Sequence, residues 1–563
     1  MIFQHLIDLA TTCAKNGIKE AILSPGSRCA PISLAFIRHP DIHCRTIPDE
    51  RSAGFIALGM AQQLEKPVVL VCTSGSAALN YSPAVAEAFF QQVPLLVLTA
   101  DRPPEWIDQW DGQTIRQDQM YGKNVKGSFQ FPDDAIHPDK AWHAQRICNE
   151  AIALSKSHPM GPVHINIPIR EPFYPGAEEI FDFTPTKDTL DVTPGIASLK
   201  EDALIKIKNQ LVLFRKILIV PGQQKPDPEI KSLLVKLVEN DKAVVVTDTI
   251  SNLTFRDAII HHDFFVQGAS VTQELEPDLI ISFGKSIISK SLKLFLRKSK
   301  AAHWHLQVHG YVPDPYQRLS KIIPVGSAYF LQFLMKEGNV LAPEFKNSWH
   351  QTDHKIRKKL PEFFKMTDFG EFKALEIILP SIPKNSRIHL ANSMAVRYVN
   401  FLGMTTEDQE IICNRGTSGI DGSNSTAVGC TFTTKDPVIL ITGDMAFFYD
   451  RNAFWHQYNM PNLRIIVLNN HGGGIFRIID GPSFLPESKE YFETFQKLEA
   501  SQLAAEMGFE YFQINKADSL LNRLESFYHQ SMKPKILEIV SENETNARVL
   551  KIIRQSLKEY LAD

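Results

Sequence analysis

What this sequence lacks narrows its class before any motif is considered. It has no apolar run approaching the ~18–20 residues that span a bilayer, so no membrane-embedded protein is expected. Net charge is nearly absent, with 60 Lys and Arg against 63 Asp and Glu and a formal charge of −3. A nucleic-acid binder that neutralises backbone phosphates needs a basic excess, so that class is set aside and any basic site must be local. Cys-x-x-Cys spacing is missing as well. The seven cysteines, at 13, 29, 44, 72, 148, 413 and 430, are odd in number and scattered, which argues against zinc or dithiol chemistry and fits a reducing compartment. Residues 1–17 read as an amphipathic helix carrying Asp8, with neither a basic lead nor a small-residue cleavage site, so a cytoplasmic protein is expected. No internal repeat is visible.

What is present is ordinary in bulk and specific in detail. A chain of 563 residues is too long for one core, and a prior of ~150 residues per domain gives three or four. Three are read: 1–180, 195–340 and 350–563, separated by a linker punctuated by Pro172, Pro175, Pro185 and Pro194 and by a charged helical bridge near 354–364. In each, short apolar runs such as 67–72, 94–99, 279–283, 437–442 and 463–468 alternate with helical patterns, including helices over 50–63 and 77–91. Such alternation predicts an α/β protein of three consecutive doubly wound domains with mainly parallel sheets, one architecture used three times.

The most telling feature is Gly443-Asp444-Met445-Ala446, followed by Asn469-Asn470-His471-Gly472-Gly473-Gly474, with Asn470 26 positions after the aspartate. Each piece follows a strand, with a helix expected from Asp444 to about Tyr458, so both should emerge at the carboxyl edge of a sheet, where open α/β folds bind ligands. Either piece alone is what an ordinary turn looks like. Together they offer a carboxylate, an amide and a backbone carbonyl, hard oxygens of the kind Mg²⁺ accepts alongside phosphate. The pair resembles the thiamine diphosphate (ThDP) motif of the ThDP-dependent decarboxylase and synthase superfamily. That resemblance implies that Asp444, Asn470 and the Gly472 carbonyl hold Mg²⁺ (or Mn²⁺), with Met445 standing where many members have glycine. It further implies a three-domain ThDP-binding fold, the pyrimidine bound by the first domain and the diphosphate by the third. Each site is then shared between subunits, so a homodimer or homotetramer is expected.

In Ile47-Pro48-Asp49-Glu50-Arg51, the acids sit at a helix start, where Asp49 can cap and Glu50 can favour the helix dipole. The resemblance gives Glu50 a second role, because the family carries a glutamate here that hydrogen-bonds N1′ of the aminopyrimidine and drives removal of the thiazolium C2 proton. Arg28, Arg102, Arg397 and Arg415 all follow strands. Any one of them alone is most often a surface ion pair, but four suit an anionic substrate.

Ser-Pro-Gly-Ser-Arg (24–28), Asp-Glu-Arg (49–51), Thr-Ser-Gly-Ser-Ala (73–77), Ala-Asp-Arg-Pro-Pro-Glu (100–105), Gly-Gln-Thr-Ile (112–115), residues 414–422 and Gly-Gly-Gly-Ile-Phe (472–476) look like one branch of that superfamily. The branch is the 2-succinyl-5-enolpyruvyl-6-hydroxy-3-cyclohexene-1-carboxylate synthases of menaquinone biosynthesis. It implies decarboxylation of 2-oxoglutarate and 1,4-addition of the resulting succinic-semialdehyde carbanion to isochorismate. Carried over by position, Ser27, Arg28, Arg102, Gln113, Lys290, Ser393, Arg397 and Arg415 would bind the two substrates. Glu50, Ser74, Gly75, Ser418, Gly419, Ile420, Gly443, Asp444, Met445, Ala446, Asn470, Gly472, Gly473, Ile475 and Phe476 would contact the cofactor. The branch often has Lys-Arg where this chain has Lys290-Ser291, which puts one cationic contact in doubt.

The competing reading keeps ThDP with another acceptor, as in 2-oxoacid decarboxylases or acetohydroxyacid-synthase-like carboligases; the arginine-rich loops speak against it. A non-catalytic cofactor-binding regulator is disfavoured by Glu50. His303 and His305 share a strand face with no third ligand nearby, so packing is expected there, and His261-His262-Asp263 reads as a solvated loop.

Overall fold

Continuous apolar segments build the centre of this molecule, because strands covered by helices on both faces have no solvent side to keep polar. The computed structural model describes residues 3–176, 179–184, 189–193, 195–266, 272–404, 408–478 and 484–562. Pro185 and Pro194 of the expected linker lie outside these. Among the described residues, seventeen strands form three sheets in which every pairing is parallel.

The first sheet contains β1 (Glu20–Leu23), β2 (His43–Thr46), β3 (Val68–Cys72), β4 (Leu95–Asp101), β5 (Ser128–Gln130) and β6 (Val163–Pro168), in the order β2-β1-β3-β4-β6-β5. The central sheet has β7 (Ile217–Pro221), β8 (Val244–Val245), β9 (Leu279–Phe283), β10 (Ala302–Leu306) and β11 (Leu319–Ile323), ordered β11-β10-β9-β7-β8. The third has β12 (Arg387–Leu390), β13 (Glu410–Ile412), β14 (Val438–Gly443), β15 (Leu463–Asn469), β16 (Glu510–Ile514) and β17 (Lys535–Val540), ordered β13-β12-β14-β15-β17-β16. The first and third orders are the same, and the five-stranded central sheet, read from its other edge as β8-β7-β9-β10-β11, follows the same winding with one strand fewer, so one architecture is used three times. In both six-stranded sheets the chain reverses its direction of travel between the first and third strands, the crevice where such folds take ligands.

The first and third blocks share a core. The helix Glu50–Leu64 lies across the helix Ser423–Thr431 so closely that a Cβ at Gly59 would sit 2.1 Å from the Thr426 carbonyl oxygen, and one at Gly429 would sit 2.0 Å from that of Ile56. Only glycine admits that approach.

Several local expectations change. The helix expected over 77–91 is two, Ser76–Asn80 and Ser82–Gln91, because Pro83 cannot continue the first and instead starts the second. The helix after Asp444 ends at Tyr449, where the buried Asp450 carboxylate turns back to accept the Ser425 amide at 2.7 Å and its hydroxyl at 2.8 Å. His261 and His262 are buried, not solvated, facing Asp353 at 3.3 Å and Asp248 at 3.2 Å. His303 and His305 share one partner, the Ser282 hydroxyl, at 2.6 and 2.8 Å, which is packing and not metal binding. All seven cysteines are free. No described helix is long and apolar enough to cross a membrane.

Candidate active site

Strand register brings the two halves of the third-block motif together. Gly443 of β14 lies level with Leu468 of β15, so Asp444 and Asn470 leave the sheet side by side. Asp444 opens the helix Asp444–Tyr449 and is 2% exposed. Its carboxylate accepts from Gln496 Nε2 at 2.8 Å and from the backbone amides of Met445 and Gly472, yet burial still lifts its pKa to about 6. Asn470 directs Oδ1 toward the Gly472 amide at 3.1 Å and donates from Nδ2 to Glu371 Oε1 at 2.7 Å. Glu371 is itself buried; desolvation, then the charge of Asp444, push its pKa up to about 8. A Cβ at Gly474 would lie 2.9 Å from both Asn470 Nδ2 and Asn543 Oδ1, so a larger residue there would push on the Asn470 amide.

Two carboxyl groups held in a dry place without a cation are poorly solvated, and a divalent ion would relieve both. The oxygens on offer suit Mg²⁺ or Mn²⁺: one carboxylate, one amide, one carbonyl, with the remaining positions left to phosphate and water. Among the described residues no cluster of three His, Cys, Asp or Glu side chains occurs, and this donor set does not call for one. Thus the residues fit a metal-bound diphosphate. His471 has φ 61° and a buried Nδ1 without a hydrogen-bond partner.

Beside this cage lies a group of cations. Ser393, between β12 and the helix Met394–Leu402, has φ 73° and ψ −127°, a region costly for any residue with a side chain and one that persists only when its surroundings enforce it. Its carbonyl accepts Arg397 Nη1 at 2.5 Å, while Arg415 Nη1 donates to Asn392 Oδ1 at 2.9 Å. Burial and the neighbouring Arg415 charge lower the pKa of Arg397. Lys293 is lowered by burial and then by Arg415, with Arg297 and Arg397 adding to it. No ion pair neutralises Lys293, Arg397 or Arg415 among the described residues. Lys290, the lysine expected here, is exposed at the start of the helix Lys290–Lys298. Lys293, one turn on, is a further candidate that the sequence reading did not single out; Lys290, Lys293 and Arg297 at i, i+3 and i+7 mark one helical face.

The loop over 414–422 is fastened from two sides. Asn392 Nδ2 donates to the carbonyls of Asn414 at 2.6 Å and Gly419 at 2.7 Å. From the first block, the fully buried Glu87 accepts the Gly416 amide at 2.8 Å and the Thr417 amide and hydroxyl at 2.6 Å each. Ser418, at φ 62°, stays exposed at the tip. Ile420 and Ile475 rest partly buried against the core, and Phe476 packs on Phe492 at 5.8 Å.

In the first block, Asp49 caps the helix Glu50–Leu64 by accepting the Ser52 amide at 3.2 Å, and accepts Asn452 Nδ2 at 2.7 Å. Glu50, half-buried in the first turn, is near enough to Cys29, Cys72 and Tyr81 for its charge to help raise their pKa values. Gly75 adopts φ 86°, donates its amide to Gln117 Oε1 at 2.8 Å and passes under the Gln113 backbone, 3.3 Å from where a Cβ would be. The Thr73 and Ser74 hydroxyls beside it are buried without partners. Ser27 is exposed, whereas Arg28 is buried, donating to the Ile169 carbonyl at 2.5 Å with its guanidinium 4.7 Å over Phe173. Arg102 pairs with Asp111 at 3.1 Å, in the loop that carries Gln113. Among the described residues no hydrogen bond or ion pair joins Glu50 to Asp444, Asn470 or Gly472 within the chain.

Sequence comparison agrees with this division. Residues 7–121 match the family model described as "Thiamine pyrophosphate enzyme, N-terminal TPP binding domain", and residues 393–539 match its C-terminal counterpart. The chain is 46% identical over 565 aligned positions to a protein of Cytophaga hutchinsonii, covering 99% of this chain and 100% of that one. It is 38% identical to a protein of Flavobacterium johnsoniae, covering 97% of both, and 36% identical to one of Porphyromonas gingivalis, covering 95% and 94%. All three relatives bear the name 2-succinyl-5-enolpyruvyl-6-hydroxy-3-cyclohexene-1-carboxylate synthase.

Proposed function

Because this chain belongs to the 2-succinyl-5-enolpyruvyl-6-hydroxy-3-cyclohexene-1-carboxylate synthase family of ThDP enzymes, we propose that it decarboxylates 2-oxoglutarate and joins the remaining four-carbon unit to isochorismate. ThDP, when bound, supplies a nucleophilic thiazolium carbon, so the protein contributes binding, orientation and proton control. Asp444, Asn470 and the Gly472 carbonyl hold the Mg²⁺ or Mn²⁺ of the diphosphate. Glu50 holds the proton at N1′ of the aminopyrimidine. Ile420, Ile475 and Phe476 keep water from the reacting face. As the resemblance to its family implies, the pyrimidine and diphosphate ends of one site are assigned to different subunits of a homodimer or a larger homo-oligomer.

The observation that carries the choice of substrate is the unneutralised group Lys293, Arg397 and Arg415. Holding half-buried cations next to one another is unfavourable unless anions arrive, and both proposed substrates are dicarboxylates. A pyruvate-specific site would need fewer cations. Turnover with ThDP, Mg²⁺ and 2-oxoglutarate, with and without isochorismate, tests this. CO₂ release coupled to isochorismate consumption is expected; equal turnover of pyruvate would point instead to a decarboxylase or acetohydroxyacid-synthase-like carboligase.

A further inference from the structure

We propose that Glu371 is a positioning residue for the divalent ion, holding the side-chain amide of Asn470 so that its oxygen, and not its nitrogen, faces the metal. The inference rests on the assignment of Asp444 and Asn470 as ligands. An asparagine amide has two ends of nearly equal shape, of which only the oxygen coordinates a hard cation. Which end points inward is therefore decided by what the other end meets.

In this site the choice is made twice. Asn470 Nδ2 donates to Glu371 Oε1 at 2.7 Å, and Asn470 Oδ1 accepts the Gly472 amide at 3.1 Å. With Glu371 ionised, as a neighbouring divalent ion would favour, rotating the amide by half a turn would set oxygen against a carboxylate oxygen and N–H against the Gly472 N–H. Both contacts would turn from attractive to repulsive in a place where Asn470 is only 9% and Glu371 2% exposed, so water could not repair them.

Glu371 can act as a reference point because it is held independently of the metal. Its backbone amide donates to Asn546 Oδ1 at 3.0 Å, and Asn546 Nδ2 in turn donates to Ser541 Oγ at 3.0 Å. Gly370 makes room for this, since a Cβ there would fall 2.4 Å from Asn546 Oδ1. The Tyr398 hydroxyl hydrogen-bonds the Glu371 carboxyl group, and the Tyr398 ring lies flat on Phe372 at 5.1 Å. The acceptor is thus tied to the C-terminal helix, the β17 exit and the helix Met394–Leu402 at once. Outer groups of this kind, which orient ligands, commonly govern metal affinity by 10–100-fold.

The test is binding. Mn²⁺ affinity in the presence of ThDP is measured by electron paramagnetic resonance of free Mn²⁺ for wild type, Glu371→Leu and Glu371→Gln, with circular dichroism to verify folding. Glu371→Leu is expected to weaken Mn²⁺ by roughly 10–100-fold. Glu371→Gln, which still offers an acceptor to Asn470, should stay within about threefold of wild type, a rescue that general loosening of the fold would not give. Affinity of the Leu variant within threefold of wild type overturns the proposal, as does a Gln variant as weak as Leu. Should the Leu variant not fold, Tyr398→Phe serves, expected to weaken Mn²⁺ about threefold or more; an unchanged value overturns the proposal. If wild-type ThDP binding ignores metal and Asp444→Ala alike, the ligand assignment itself fails.

Discussion

The first and third sheets have the same strand order, yet their buried polar groups are arranged on opposite terms. Beneath the first sheet's carboxyl edge one hydrogen-bond network is closed, although the Thr73 and Ser74 hydroxyls beside it find no partner among the described residues. Gln117 receives the Gly75 amide at 2.8 Å and donates at 3.0 Å to both the Ala100 carbonyl and Asn166 Oδ1, while Asn166 Nδ2 donates to Asp101 at 2.7 Å. Thr99 and Ser128 flank the His164 ring at 2.8 and 3.0 Å, and burial drops that ring to a pKa of about 3, so it stays neutral. The third block instead gathers carboxyl groups that burial holds above their ordinary range, Asp444 at about 6, Glu371 at about 8 and Asp450 at about 7, with Arg51, 3.9 Å from Asp450, as their one ion-pair partner among the described residues. A closed hydrogen-bond network makes a rigid shelf, whereas buried acids with little cationic compensation mark a place where charge can be delivered by a ligand. One block is finished by folding; the other is finished by what it binds.

The strongest way to break this contrast is to remove one acid from each block. Asp444→Ala is expected to abolish metal-dependent ThDP binding, a loss greater than the ~100-fold reached by supporting groups, measured by calorimetric titration. Glu50→Gln should leave that binding within about threefold while turnover falls ~10²–10⁴-fold, the usual worth of a positioned acid or base. A Glu50→Gln protein that loses ThDP, or keeps near-normal turnover, would end the division between a binding block and an activating one.

Much of this contrast was legible in the sequence, and the illegible part has a physical reason. Val68–Cys72 is apolar throughout and Leu463–Asn469 nearly so, broken only by Arg464 and the terminal Asn469, because both faces are covered, so they stand out as strands. The spacing of Asp444 and Asn470 is set by one β-α-β unit and survives as a motif. His43–Thr46 and Ser128–Gln130 carry no such signal, being edge strands with exposed or half-exposed positions. Glu371, Gln496 and Glu87 were missed because each reaches the site from a distant segment, and an isolated acid or amide says nothing about the loop it will meet. Lys293 was not singled out because the resemblance supplied only the position of Lys290.

The shelf of the first block offers the next test. Gln117→Leu keeps the volume but strips one acceptor and two donated bonds from groups that are fully buried. A loss of ~2–4 kcal/mol is expected, read as a lower thermal midpoint, with the Gly75 turn loosened and ThDP bound more weakly. A midpoint unchanged within error would show that the network is ornamental.

The smallest expected effect has the opposite sign, and it lies in the third block. Burial raises Asp450 to about 7, against an ordinary 3.8, despite the Ser425 amide and hydroxyl and the Arg51 guanidinium 3.9 Å away, with Asp421 pushing further upward. Between about pH 4 and pH 7 the folded protein therefore keeps a proton that the unfolded chain has released, so stability falls as pH rises through that window. Asp450→Asn removes the titration. Its Oδ1 can still accept the Ser425 amide and its Nδ2 can donate to the Ser425 hydroxyl, so few contacts are lost. The variant should be the more stable protein above pH 7, by on the order of 1 kcal/mol, and lose this advantage near pH 4. Thermal midpoints of both proteins from pH 4 to 8 check it; parallel curves would mean that Asp450 is ionised throughout, answered by Arg51, and that this acid belongs with the self-satisfied groups of the first block.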